Sequence, residues 1–200
     1  FSRNIKSVVQ TKKLTDDIRK IFNDKKYPIL IDQEGGRVNR LNNLIYSSNF
    51  TGELFGNLYK TNIKKFNVYC KIFINQTSNL LNKIGVNINT VPVLDIRRKT
   101  SNKIIGDRSF DNKPKIVSKI GDYFINQFHK NNIATVIKHI PGHGLAKADS
   151  HKSTPIVKSK LKDLNKIDFL AFKKKKSFFA MTAHIVYQDI DKENTATHSK

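Results

Sequence analysis

Apolar residues along the chain recur at two spacings, one typical of helices and one typical of buried strands. Spacings of three and four residues predict helices in four segments: Thr11–Phe22, Ile63–Ile84, Val117–Phe128 and Leu161–Leu170. Short apolar runs predict strands in four others: Pro28–Asp32, Val86–Asp95, Ile133–Ile137 and Phe178–Ala183. Because strands and helices of these lengths alternate, we expect right-handed βαβ units around a parallel sheet in a single domain.

Ionisable side chains stand at the end of every predicted strand. They are Asp32, Asp95, Lys138 with His139, and His184. In a (β/α)8 barrel of the TIM type, the face at the carboxyl ends of the strands carries the active site. We therefore expect these residues to lie in one common active site. A complete barrel takes about 250 residues. We therefore predict an α/β fold of this type that is incomplete at both ends of the chain.

The segment from Asp32 to Leu41 follows the first predicted strand and contains two adjacent glycines. Gly35 and Gly36 allow a tight turn with positive φ and close approach of the backbone to a ligand. Asp32 is placed to accept hydrogen bonds from sugar hydroxyls, and Arg40 is able to reach the same ligand. A structural turn with a surface ion pair explains the same residues equally well.

The segment from Lys138 to His151 is rich in groups that transfer protons. Its proline and glycines exclude a helix, so His139 and His143 do not share a helical face. A zinc site is one hypothesis, with the ligands His139, His143, Asp149 and His151. A carboxylate–imidazole dyad of Asp149 and His151 is the favoured alternative, with His151 as general acid/base. For His143 alone, a structural role is the simpler interpretation.

Two further candidates are weak when taken alone. Arg108 lies in a loop after the second predicted strand, where a structural Arg–Asp pair is the simpler explanation. His184 follows the fourth predicted strand and is a candidate ligand-facing side chain. Cys70 lies on the apolar stripe of its helix, so we expect an inert core thiol.

The net charge of +21 raises the question of nucleic-acid binding. Lys occurs 30 times and Arg only 7 times, although bidentate recognition of bases and phosphates favours Arg. The run Lys173–Lys176 is interpreted as the solvated end of a helix. We therefore expect no nucleic-acid partner. No apolar run has the 18 residues that a membrane span needs, and we expect a cytoplasmic monomer without a membrane partner.

Six motifs in this order resemble one family: IDQEGGRVNRL, VPVLDI, IGDRSF, KHIPGHG, DSH and MTAHIVY. Together they resemble the N-terminal catalytic barrel of family 3 glycoside hydrolases over residues 1–200. The group that they resemble most is the bacterial cytoplasmic β-N-acetylglucosaminidases (β-N-acetylhexosaminidases) of peptidoglycan recycling. The resemblance implies retaining hydrolysis of N-acetylglucosamine from the small glycan GlcNAc-anhydro-N-acetylmuramic acid, without metal or organic cofactor.

The resemblance also implies roles for individual residues. His151 is the expected general acid/base and Asp149 its partner. The expected sugar-binding residues are Asp32, Arg40, Arg108, Lys138 and His139.

The family's nucleophilic Asp belongs to a motif that none of the 200 residues matches. ENTATHSK resembles the segment that leads toward that motif, with Thr195 in place of the usual proline. We therefore expect the chain as given to be inactive. The alternative from another class of function is an inactive sugar-binding remnant of such an enzyme, followed by a Lys-rich nucleic-acid binder.

Overall fold

The computed structural model describes residues 2–98, 104–146 and 154–200. The helices are Val8–Ile21 (α1), Gly52–Thr61 (α2), Ile63–Lys83 (α3), Pro114–Lys130 (α4) and Leu161–Lys166 (α5). The strands are Leu30–Ile31 (β1), Ile88–Asn89 (β2), Ala134–Ile140 (β3), Ile156–Val157 (β4), Phe179–Thr182 (β5) and Val186–Tyr187 (β6). Short 3₁₀ turns occupy Ser2–Asn4, Gly106–Arg108 and Phe169–Phe172.

The predicted parallel sheet is confirmed. Its order is β1-β2-β3-β5, and every neighbouring pair is parallel. β4 and β6 form a second, two-stranded parallel pair. Among the described residues these strands do not close into a complete barrel. None of the helices in the described part of the chain is long and apolar enough to cross a membrane.

Local capping explains where the longer helices begin and end. The side chains of Ser7, Thr51 and Asn62 each accept a hydrogen bond from a backbone N–H of the first helical turn, at α1, α2 and α3 respectively. Pro114 begins α4, where its missing N–H costs nothing. Gly85 follows α3 with a φ of +78°, as the sequence predicts for a glycine that ends a helix.

The main core lies where α2, α3 and α4 pack on one another and α4 packs on β3. Phe124 is at its centre, with ring centroids 5.2 Å from Phe55 and 5.0 Å from Phe110. Cys70 is also fully buried in this core, and burial raises the pKa of its thiol well above the ordinary value. The expectation of an inert core thiol is confirmed.

The helix predicted over Thr11–Phe22 exists as α1, but its apolar stripe does not face the core. Ile21 is 79% exposed, whereas Thr11 and Thr15 are buried. The Thr15 hydroxyl donates to the carbonyl of Ile84 at 2.8 Å, and Arg19 donates to the carbonyl of Gly85 at 2.7 Å. Polar side chains of α1 thus satisfy the carbonyl groups at the end of α3, and this orients the apolar stripe outward.

The first predicted strand is present but is not buried throughout. Leu30 is 59% exposed, and β1 is an edge strand of the sheet that the described residues form. The helix predicted to run to Leu170 is interrupted: α5 ends at Lys166, and a 3₁₀ turn follows at Phe169–Phe172. The interruption coincides with buried Asp168, whose carboxylate pairs with Arg98 at 2.6 Å.

The interpretation of Lys173–Lys176 as the solvated end of a helix is wrong, because the run follows a 3₁₀ turn and one of its members is buried. The side chain of Lys175 is only 3% exposed, and its Nζ lies 2.9 Å from Asp122 Oδ2. It also donates to the Ser118 hydroxyl at 2.6 Å. Part of the excess positive charge therefore stabilises the contact between this segment and α4.

We predict that Phe124→Ala lowers the free energy of unfolding by about 3–5 kcal/mol, because it leaves a cavity at the centre of the aromatic core. Urea unfolding followed by circular dichroism measures this change. Phe178→Ala is the matched control, since Phe178 is 70% exposed and its loss should cost well under about 1 kcal/mol. Equal losses in the two variants would contradict this placement of the core.

Candidate active site

The carboxyl ends of β1, β3 and β5 open on one polar cleft of about 490 Å³. Its lining includes Asp32, Arg40, Arg108, Lys138, His139, His143 and His184. The structure thus brings together side chains that are distant in the sequence, as expected for the loop face of a parallel sheet.

Lys138 lies at the base of this cleft and is only 1% exposed. Its ammonium group pairs with Asp32, lies 2.5 Å from Glu34 Oε1 and donates to Thr90 Oγ1 at 3.1 Å. An ammonium group has three N–H donors, and these three oxygens match them. Lys138 therefore connects its own strand, β3, to the residues that follow β1 and β2.

Asp32 follows β1, and its side chain keeps 34% of its surface exposed in the cleft. Its Oδ1 accepts a hydrogen bond from Thr90 at 2.8 Å, and its Oδ2 lies 3.5 Å from Arg40 Nη2. Burial alone would raise the pKa of Asp32, but the charge of Lys138 and hydrogen bonds from Lys138 and Thr90 lower it below the ordinary value. Asp32 is thus held as a carboxylate beside open space.

The sequence predicted either a ligand site or a surface ion pair at Asp32 and Arg40. The structure contains the ion pair, on the wall of a cleft. Both interpretations therefore remain compatible with the geometry, because a half-exposed ion pair can also contact a ligand.

Arg108 does not form the Arg–Asp pair that the sequence offered as the simpler explanation. Its Nε and Nη2 donate to the two carboxylate oxygens of Glu34 at 2.8 and 2.7 Å. The neighbouring Asp107 instead lies 3.0 Å from Arg37 Nε. Burial would lower the pKa of Arg108, but the hydrogen bonds and charge of Glu34 raise it, so the guanidinium stays charged.

Glu34 was not among the residues singled out from the sequence. The available signal was its position, two residues after Asp32 and directly before the two glycines. Gly35 has a φ of +87°, and a Cβ there would lie 2.4 Å from the carbonyl oxygen of Phe50. Glycine is therefore required at the turn that follows Glu34.

Asp95 lies beneath the histidines of the cleft and is fully buried. Its Oδ2 is 2.6 Å from His139 Nδ1, and its Oδ1 accepts a hydrogen bond from the backbone N–H of His143 at 2.6 Å. Burial would raise the pKa of Asp95, but the charge and hydrogen bonds of His139 and the His143 amide lower it. Asp95 thus holds the His139 ring and the backbone of His143 from beneath the cleft, and it does not line the cleft itself.

The two histidines above Asp95 have ring centroids 5.6 Å apart. His143 is nearly buried, and this burial lowers the pKa of its imidazole, which favours the neutral ring. The other two ligands of the zinc hypothesis, Asp149 and His151, lie outside the described residues. Within the described ranges, no cluster of three or more His, Cys, Asp or Glu side chains is arranged to hold a metal ion.

The predicted dyad of Asp149 and His151 likewise lies outside the described residues, so the structure does not test it. His184, the weak candidate after β5, does line the cleft. Its Nδ1 is 2.8 Å from the hydroxyl of Thr197, which lies 3.1 Å from the hydroxyl of Thr182. The segment near the carboxyl end of the chain therefore helps to orient a histidine of the cleft.

A parallel α/β domain with charged side chains at the carboxyl ends of its strands is typical of enzymes with α/β folds, including the (β/α)8 barrels. Comparison with known families is more specific. Residues 1–200 match the glycosyl hydrolase family 3 N terminal domain, and the chain belongs to this family.

Curated relatives are named beta-hexosaminidases. Beta-hexosaminidase A of Pseudoalteromonas piscicida is 32% identical over 199 residues, which are 96% of this chain and 33% of that protein. The beta-hexosaminidase of Actinobacillus pleuropneumoniae serotype 3 is 34% identical over 203 residues, covering 96% of this chain and 56% of that protein. The chain thus spans between a third and somewhat over half the length of these relatives.

Solved structures show the same fold. NagZ from Neisseria gonorrhoeae superposes with a TM-score of 0.86 at 25% identity, covering 97% of this chain and 57% of that one. A family 3 β-N-acetylglucosaminidase from Paenibacillus has a TM-score of 0.84 at 27% identity, and the match covers 98% of this chain and 37% of that one. The topology described above is therefore that of the family's barrel-like N-terminal domain.

We predict that acid weakens the fold partly through Asp95. Its pKa is lower in the folded state than its ordinary value of 3.8, so its stabilising effect is complete above that value. The effect is lost as the pH falls through the folded-state pKa. Asp95→Asn should therefore lower stability by about 3 kcal/mol at pH 7 and flatten the decline below about pH 4.

Urea unfolding at several pH values between 7 and 2.5 measures this prediction. Asp16→Asn is the control, because the ion pair of Asp16 with Lys12 on α1 is exposed. A pH dependence in Asp95→Asn that parallels the unmodified protein would contradict the role given to Asp95.

Proposed function

We propose that this chain forms the N-acetylglucosamine-binding part of a retaining β-N-acetylglucosaminidase. The observation that carries the proposal is the row of alternating charges Arg40, Asp32, Lys138, Glu34 and Arg108 along the cleft. Such a row presents the partly exposed Asp32 carboxylate as an acceptor beside guanidinium donors, which suits the hydroxyl and amide groups of a sugar.

Two findings support this choice of sugar. Curated relatives that match 96% of this chain are named beta-hexosaminidases. One NagZ structure from Neisseria gonorrhoeae, with a TM-score of 0.86 and 26% identity, is in complex with N-trifluoroacetyl-D-glucosamine. We infer that the same class of sugar occupies the cleft described here.

In the proposed complex, Asp32 accepts hydrogen bonds from sugar hydroxyls, and Arg40, Arg108 and His139 donate. Lys138 contributes its positive charge and holds Asp32 in place, since its three donors are matched by protein oxygens. The preorganised charges cost no rearrangement when the sugar binds, and this favours affinity.

The proposed reaction proceeds in two steps. The imidazolium of His151, oriented by Asp149, gives its proton to the glycosidic oxygen as the bond to the anomeric carbon breaks and a carboxylate attacks that carbon. The neutral imidazole then takes a proton from water, which attacks the glycosyl-enzyme and releases the sugar. The protein's own side chains supply both proton transfers.

Asp32, Glu34 and Asp95 are the carboxylates at or directly beneath the described cleft, and each is held by cations or backbone N–H groups. None of them fits the role of the attacking nucleophile. The alternative function is sugar binding without catalysis. We further propose that the substrate is the muropeptide-derived disaccharide of cell-wall recycling and that the protein acts in the cytoplasm.

We predict that the 200-residue chain releases no 4-methylumbelliferone from its β-N-acetylglucosaminide above the background rate. Covalent catalysis requires a carboxylate about 5 Å from the acid/base group, and no residue here fills that position by motif. A version extended through the Asp-bearing strand of the family motif is the comparison, and it should be active. Equal turnover by the two chains would show that the nucleophile lies within these 200 residues.

In that extended version, His151 should be essential for protonation of the leaving group. His151→Ala should reduce turnover of an unactivated disaccharide by about 10²–10⁴-fold, because protonation of the leaving group is lost. Aryl glycosides with good leaving groups should lose less in the glycosylation step. The control is His198→Ala, since His198 is exposed and its ring is hydrogen-bonded to Thr195 near the end of the chain. Unchanged turnover in His151→Ala would exclude this histidine from the mechanism.

A further inference from the structure

Glu34 stands between Lys138 and Arg108 in the charge row beside the cleft, and its side chain is only 6% exposed. Its Oε1 lies 2.7 Å from Arg108 Nη2 and 2.5 Å from Lys138 Nζ, and its Oε2 accepts a hydrogen bond from Arg108 Nε at 2.8 Å. Both carboxylate oxygens are therefore engaged by cations. A carboxylate bound in this way is unsuited to attack a sugar or to transfer a proton.

The two cations that meet at Glu34 come from separate parts of the fold. Lys138 lies on β3, and Arg108 ends the 3₁₀ turn Gly106–Arg108. Their side chains are 1% and 12% exposed, so water screens their mutual repulsion only weakly. Within the described ranges, Glu34 is the one carboxylate at ion-pair distance from Arg108.

The bidentate contact also determines which donors of Arg108 are left for a ligand. A guanidinium has five N–H groups. Two of them bind Glu34, and one on Nη1 donates to the carbonyl of Ile104 at 3.1 Å. Within the described residues, one N–H on Nη1 and one on Nη2 have no protein acceptor. Since Arg108 lines the cleft, these two are its donors for a sugar.

We propose that Glu34 is a positioning residue for sugar binding. It fixes the plane of the Arg108 guanidinium, so that its remaining donors face the cleft, and it holds Lys138 next to Asp32. This inference rests on the proposed function, because it assumes that the sugar occupies this cleft. Glu34 itself makes no contact with the sugar in this arrangement.

The test is the affinity for N-acetylglucosamine, measured by ¹H–¹⁵N NMR titration of the 200-residue chain. Glu34→Gln keeps the size of the side chain and removes its charge, and it should weaken binding about tenfold or more, as loss of a charge-assisted contact does. Glu53→Gln is the matched control, because Glu53 pairs with Arg97 outside the cleft lining. Its affinity should stay unchanged.

A double-mutant cycle separates positioning from direct contact. Because Glu34 acts partly through Arg108, Glu34→Gln should cost less affinity when it is combined with Arg108→Lys than when it is made alone. Losses that add would show that Glu34 acts independently, and this would overturn the proposal. If Glu34→Gln fails to fold, Glu34→Asp serves instead. The shorter carboxylate cannot hold both cations, and unchanged affinity in that variant would likewise overturn the proposal.

One spectroscopic signal distinguishes failure of this inference from failure of the proposed function. The Arg108 Nε–H resonance should be protected from exchange with water in the unmodified chain and should exchange faster in Glu34→Gln. If the unmodified chain binds no N-acetylglucosamine, the proposed function is contradicted, regardless of the exchange rate of this resonance. The other outcome is that the unmodified chain binds the sugar, but Glu34→Gln has the same affinity and the same exchange rate of this resonance as the unmodified chain. That outcome contradicts only the role of Glu34.

Discussion

Burial of the Lys138 ammonium group is the constraint on which the cleft depends. A charge with 1% exposure is tolerated only when carboxylates and hydrogen-bond acceptors surround it. Asp32 and Glu34 supply the charge, and Thr90 supplies a further acceptor. These partners follow different strands, so one ammonium group joins the ends of β1, β2 and β3.

The same principle operates one layer deeper at Asp95. Its buried carboxylate is balanced by the imidazole of His139 and by the backbone N–H of His143. Together with the pairs of Lys138, this leaves each described carboxylate at the cleft bound to the protein. The site is thus rigid and mixed in charge, which suits recognition of a polar neutral ligand such as a sugar more than proton transfer by these carboxylates.

The helical layer supports this arrangement through packing and one obligatory turn. Aromatic rings of α2, α3 and α4 form the core behind the sheet. Phe50 packs on Phe73 in that core, and its carbonyl oxygen would lie only 2.4 Å from a Cβ on residue 35. The glycine turn after Glu34 is therefore packed closely against the core.

The sequence by itself indicated the parallel sheet, the motifs of the family and most of the elements, but not α2, β4 or β6. Periodicity and turn residues are local signals, which is why α3, α4 and β3 and the glycine after α3 were predicted correctly. Charged residues at strand ends also predicted the edge at which the cleft lies. The motifs, read in order, were specific enough to indicate glycosyl hydrolase family 3.

Only the tertiary structure decided which face of α1 packs inward and which carboxylate pairs with which cation. Periodicity identifies a stripe but not its neighbour, so it did not reveal that Thr15 and Arg19 turn inward to the carbonyls at the end of α3. Glu34 and Arg108 are 74 residues apart, and no local pattern connects them. Their pairing follows from burial, because two cations brought together at low dielectric require a carboxylate between them.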